Sequence, residues 1–327
     1  MTGTLHTLDE AVAKIATGVP LLIAGDEALL AQLPEGRWIG GTIPYFMTSD
    51  GGRTTRDLLH VDTLPSQVTD VAVRSYAADE LSTLTDDAFE TGFSIIIVPA
   101  GSEAHSRYAA EAADFPGLFD RPVVGWVAGV HLDDLASAEA KTFAGSGESA
   151  NADRAVVLHA QLADGVLASA DIVNLFQQGD GATLTFTKTG FSQDTVWVDG
   201  EPKVFSTYLE EIGHDTRLPL VADYFGAMIN VSFQSVPEGG GAVDLYAPVF
   251  SGVEYRLASP VGDYVAEFNS HLPAGTVVPT FSCNCILNYL YSELEGKKTG
   301  DIVGPVTFGE IAYQLLNQTL VYLTIHE

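Results

Sequence analysis

The chain alternates between two hydrophobic rhythms. Ala11, Val12, Ile15 and Ala16 recur at helical spacing. Thr7 and Glu10 stand as a capping box ahead of them, and Gly18 ends the run. The apolar run PLLIAG predicts a short buried strand, and DEALLAQLP a second short helix stopped by Pro34. RWIGGTIPYF reads as a strand ending in a Gly-Gly turn. DVAVRSYA and FSIIIVPAG read as strands, with a helix over TDDAFETG between them. EAHSRYAAEAAD reads as helix and RPVVGWVAGV as a further apolar strand.

Near residue 154 the rhythm turns β-rich, in RAVVLHAQL, ATLTFTKTG and DTVWVDGEP. VFSTYLEEIG predicts a helix stopped by Gly213. AMINVSFQ, AVDLYAPV and VEYRLASP predict strands, and GDYVAEFNSHL another helix. GTVVPTFSC predicts a strand leading into a helix over NCILNYLYSELEG, with Ile286, Leu287, Leu290 and Leu294 on one face. DIVGPVTFGEIAY and QTLVYLTI predict the last strands. The pattern implies an α/β (mixed α+β) fold of two tightly packed lobes, with mixed β-sheets flanked by helices. The expected boundary is DGEP, giving domains 1–200 and 201–327.

Composition narrows the function classes. Of 327 residues, 46% are hydrophobic and 18% charged, enough for a large core and unlike a disordered chain. Lys and Arg number 15 against 43 Asp and Glu, a formal charge of -28 that repels nucleic acid and anionic lipid. No basic, apolar leader opens the chain, and no run approaches the roughly 20 apolar residues of a membrane span. The expectation is a cytoplasmic protein with neither nucleic-acid nor membrane partners.

Candidate chemistry gathers at four places. Cys283 and Cys285, the only cysteines, are too closely spaced for a usual zinc half-site. At a strand-to-helix corner they are either packed small residues or a thiolate with His214 or His271 as base. Gly40 and Gly41 allow close approach by a ligand or by another strand. His131, Asp133 and Asp134 are either metal ligands or solvated loop charges. GSGES, nearby, lacks the serine-hydrolase elbow, because Glu148 stands where the second glycine belongs. Gly309 and Glu310 follow an apolar strand, facing a cleft or opening a turn.

Four stretches taken in order resemble the FIST domain family, with its N-terminal and C-terminal regions. They are IGGTIPYF, PVVGWVAGV, TVWVDGEPKVFSTYLEEIG, and FSC with the later FGEIAY and NQTLVYL. The resemblance spans nearly the whole chain. It implies a sensory protein binding a small polar metabolite, amino acids being the proposed class, with haem-based gas sensing in some members. The chain ends at the closing strand, so signalling is expected to run through a separate protein. Asn284, Cys285 and Ile286 stand where the family carries a Gly and a basic residue.

The expected function is therefore a stand-alone sensor with a ligand cleft between lobes and no resident cofactor. Gly40, Gly41 and Thr42 would come from the first lobe, with Cys283, Asn284, Gly309 and Glu310 from the second. Glu310 would meet an amine, and Arg256, on a predicted strand, a carboxylate. The alternatives are a thiol-dependent enzyme with Cys283 as nucleophile, a haem-based gas sensor and a scaffold that binds only a partner.

Overall fold

A computed structural model describes residues 3–147, 150–224, 226–271 and 279–326. It is a mixed α+β fold of several mixed sheets, as the pattern predicts. The chain forms two compact units. The first comprises Met1–Val173, His271–Leu315 and Thr319–Glu327, and the second Asn174–Ser270 and Leu316–Gln318.

Residue 200 lies within the second unit. DGEP is the turn of a hairpin between Thr195–Val198 and Glu201–Val204. Asp199 and Gly200 take φ values of 48° and 89°, the left-handed geometry a tight two-residue hairpin requires. Punctuation that reads as a boundary is here a turn inside one sheet.

Three sheets build the first unit. One orders Thr4–His6, Leu59–Thr63, Leu21–Gly25, Trp38–Thr42 and Thr142–Ala144, its third and fourth strands parallel. The second runs from Gln314–Leu316 through Glu310–Ala312, Val123–Ala128, Gly92–Pro99 and Ala155–Leu162 to Val68–Tyr76; Gly92–Pro99 and Val123–Ala128 are parallel. The third runs from Leu167–Val173 through Leu320–His326, Phe281–Cys285, Gly304–Thr307 and Tyr45–Thr48 to Gly51–Thr54.

Trp126 and Gly41 mark two places where these sheets meet. Trp126, 1% exposed, stacks on Phe281 with ring centroids 5.6 Å apart, joining the second sheet to the third. Its Nε1 lies beside Gly41 of the first sheet, where an added Cβ would come within 3.0 Å of Nε1 and 2.7 Å of Ile97 Cγ2. The strand therefore runs through the paired glycines instead of turning at them. Position 41 lacks a side chain so that two sheets can close.

Other local readings divide by mechanism. The Leu8–Ile15 helix carries its capping box, with Thr7 accepting from Glu10 N and Glu10 accepting from Thr7 N at 2.8 Å. No helix forms over TDDAFETG; a 3₁₀ turn covers Ala78–Thr83 instead. There Thr85 Oγ1 donates to Pro116 O and Asp87 accepts from Tyr76 Oη, side-chain bonds that compete with a helix. The helix after the cysteines spans only Ile286–Tyr291, and Glu293 turns the chain at φ 51°. Leu294 is therefore buried while Leu290 is 40% exposed, so the four apolar residues do not share a face. The predicted GTVVPTFSC strand is present as Phe281–Cys285; residues 275–278, and Glu148 of GSGES, lie outside the described residues. Among the described residues no helix is long and apolar enough to cross a membrane.

The second unit is antiparallel. Its larger sheet orders Glu201–Val204, Thr195–Val198, Leu184–Thr185, Tyr255–Leu257, Leu220–Tyr224 and Ala227–Val231. Phe186 packs edge-on against both Phe205 and Tyr255 in its core. Leu316–Gln318 complete this unit. Gln318 accepts from Ser232 Oγ at 2.7 Å and donates to Arg217 O at 3.0 Å, and Asn230 Nδ2 donates to Asn317 O at 3.1 Å.

Candidate functional site

Seven of the eight residues singled out in the sequence lie in the first unit, in two separate settings. Arg256 lies in the second unit, on Tyr255–Leu257 opposite Val221.

Cys283, Asn284, Gly309 and Glu310 belong to a closed polar network. Alternation along Phe281–Cys285 puts both thiols on one face and Asn284 on the other. Cys283 and Cys285 are each 1% exposed and Glu310 is fully buried. The Cys283 thiol donates to Gly125 O at 3.3 Å. Glu310 Oε2 accepts from Thr319 N and Oγ1 at 3.2 and 2.9 Å, while Oε1 has no partner. Gly309 O accepts from Val127 N and Thr307 Oγ1. Asn284 Oδ1 accepts from Cys285 N and Asn288 Nδ2 at 2.8 and 3.0 Å.

Burial pushes the Glu310 carboxyl up to about 8, against the opposing pull of the Thr319 hydrogen bonds. Burial, and then the neighbouring Glu310, push the Cys283 thiol well above its usual range. At neutral pH this network is protonated and shut. It is the opposite of the half-exposed, electropositive setting that makes a thiolate, and Glu310 does not face a cleft.

Thr42 marks an open setting. The parallel strands Leu21–Gly25 and Trp38–Thr42 end side by side, and the Val123–Ala128 strand ends beside them. Backbone bonds tie these ends: Ile43 N donates to Gly25 O at 2.9 Å, and Gly129 N to Thr42 O at 2.7 Å. Outside them lies a crevice of about 140 Å³. Asp26, Glu27, Thr42, Arg56, His131, Asp134 and Glu139 line it.

The cations of this crevice are already engaged. Arg56 pairs with Asp134 at 2.7 Å, and Lys141, beside it, with Glu27 at 2.6 Å. Asp26 and Glu139 form no ion pair among the described residues; Asp26 Oδ1 caps the short Glu27–Leu30 helix by accepting from Ala28 N. Tyr45 stacks on His131 at 5.5 Å, and its Oη accepts from Leu132 N, which fixes the loop. Among the described residues the crevice thus offers unpaired carboxylate oxygens and no unpaired cation.

The acidic loop holding His131, Asp133 and Asp134 does not close as a metal cage. Asp134 turns to Arg56, and Asp133 lies 3.6 Å from His131. Among the described residues no three His, Cys, Asp or Glu side chains are grouped to hold a metal ion. Two residues of that loop do face Thr42 across the crevice. Asp26, Glu27 and Glu139 escaped the sequence reading; the signal available was an acidic residue directly after an apolar strand end, as Asp26 follows Gly25.

No curated protein matches the sequence. The FIST resemblance is overturned: the family model that matches is a different one, and no FIST region is found. The stretches that suggested it are generic β features, IGGT being the last four residues of a packed strand and DGEP a hairpin turn. The sensor and haem expectations lose that support. Matching its model over residues 6–326, the chain belongs to a family of unknown function, DUF6976.

Proposed function

We propose that the protein binds a small ammonium-bearing metabolite in the crevice beside Thr42. The observation that carries this reading is the position of an acidic crevice at the carboxyl ends of parallel strands, where ligands of α/β sheets characteristically sit. Its unpaired carboxylates, Asp26 and Glu139, select a cation, and the formal charge of -28 concentrates cations near the surface. A volume of about 140 Å³ suits a ligand of few heavy atoms; a cavity of about 150 Å³ holds one benzene.

Calorimetric titration with ethanolamine, putrescine and glycine, beside acetate and lactate, tests the reading. Saturable binding of at least one amine is expected, with none from the carboxylates. Asp26→Asn with Glu139→Gln keeps the helix cap but should weaken binding about tenfold or more, since each 1.4 kcal/mol is a factor of ten. Equal amine affinity in that variant refutes the reading.

A further inference from the structure

A second pocket, of about 310 Å³, lies in the first unit and is lined by Met47, Asp50, Arg53, His60, Asp301 and Val303 among others. It shares no lining residue with the crevice beside Thr42.

Its buried titratable member is His60, 2% exposed, on Leu59–Thr63. The imidazole is fixed on three sides. Phe46 stacks on it with centroids 5.9 Å apart and planes 11° from parallel. Asp62 Oδ2 lies 3.5 Å from Nδ1. Gly3 crosses so closely that an added Cβ would sit 2.3 Å from His60 Cε1. Nε2 has no hydrogen-bond partner. Leaving a buried polar atom unpaired is costly, and a ligand group that completes the bond recovers part of that cost. No hydrogen bond joins Asp62 to the ring, so neither nitrogen is fixed as the donor, and the group that completes Nε2 has to suit either tautomer. A hydroxyl does, because it both donates and accepts.

The remaining lining narrows the class of ligand. Asp50 and Asp301 supply acceptors; Arg53 supplies donors and has no ion pair among the described residues. An anion would meet two aspartates and a formal charge of -28. A diamine would meet Arg53. Hydroxyls donate to the carboxylates, accept from the guanidinium and complete Nε2 in either tautomer. A carbon skeleton can lie against Met47 and Val303. Ligand pockets run from about 300 to 1,000 Å³, so 310 Å³ suits a compact molecule.

We propose that this pocket is a binding site for a neutral polyhydroxyl ligand of monosaccharide size, one hydroxyl of which hydrogen-bonds to His60 Nε2. The test is titration of the full chain, labelled with 15N at histidine, with glucose, galactose, mannose, ribose and inositol. Putrescine and lactate serve as charged probes. At least one polyol is expected to saturate by millimolar concentration and to shift the Nε2 resonance, assigned from the His60→Phe spectrum. Because that buried replacement can unfold the chain, Arg53→Gln and Asp301→Asn at the rim give a second reading; each should weaken the same polyol about tenfold. The proposal is overturned if no polyol moves the resonance, if only a charged probe does, or if both rim variants bind as tightly as the parent. The Asp26→Asn, Glu139→Gln chain should bind the polyol unchanged, so failure of the amine reading leaves this result interpretable.

Discussion

At the scale of single residues, the buried titratable groups set how the protein responds to pH. Glu310 titrates near 4.5 when exposed and is pushed up to about 8 in the fold by burial. The native state holds its proton more tightly, so its stability contribution is complete below about 4.5 and is lost as pH rises through 8. Linkage puts that loss at about 5 kcal/mol. His105 and His159 act in the opposite sense, because burial lowers both to about 4. Their contribution is present above about 6.5 and is lost as pH falls through 4. His159 is also engaged at both nitrogens, by Ser94 Oγ at 2.8 Å and Tyr76 Oη at 3.1 Å. Stability is therefore expected to peak near pH 6.5. Glu310→Gln should flatten the alkaline side, which urea midpoints at pH 6 and 9 would reveal; an unchanged alkaline slope would remove Glu310 as its cause. The sequence places Cys283 and Cys285 at a strand-to-helix corner, where they stand. That Glu310 and Thr319 close over them was not legible, because those contacts come from strands that pair only in the fold.

At the scale of elements, readings that depend on neighbours in sequence fared well, and those that depend on neighbours in space did not. The capping box of the first helix needs only Thr7 and Glu10, and it forms as read. The paired glycines carry two meanings, a turn or a close approach, and only the opposing Ile97 and Trp126 decide between them. Gly41→Val is accordingly expected to destabilise by about 1–3 kcal/mol, the usual range for overpacking. Gly181→Ala, with nothing within 4 Å of an added Cβ, should stay within about 0.5 kcal/mol. Urea unfolding at constant m-value distinguishes the two outcomes; equal midpoints would mean that the sheets do not meet at Gly41. Thr42, one residue further along, lines the crevice. Gly40 and Gly41 instead serve the packing beneath it.

At the scale of the whole molecule, composition foretells a large core and an acidic surface but not how the chain is apportioned. The second unit is inserted between parts of the first, and the segment completing it is only Leu316–Gln318. Three residues leave no compositional trace, while the conspicuous DGEP marks nothing larger than a hairpin. The same arrangement has a consequence for biosynthesis. A nascent chain that has reached residue 280 has made Trp126 but not the Phe281 on which it stacks, and has made Asn230 and Ser232 before Asn317 and Gln318 exist to meet them. Neither unit can close while its final strands are still inside the ribosome. Stalled chains ending before residue 281 should be cleaved by protease throughout, and released chains should resist; protection of 174–270 on the stalled ribosome would show that this part folds without its late partner.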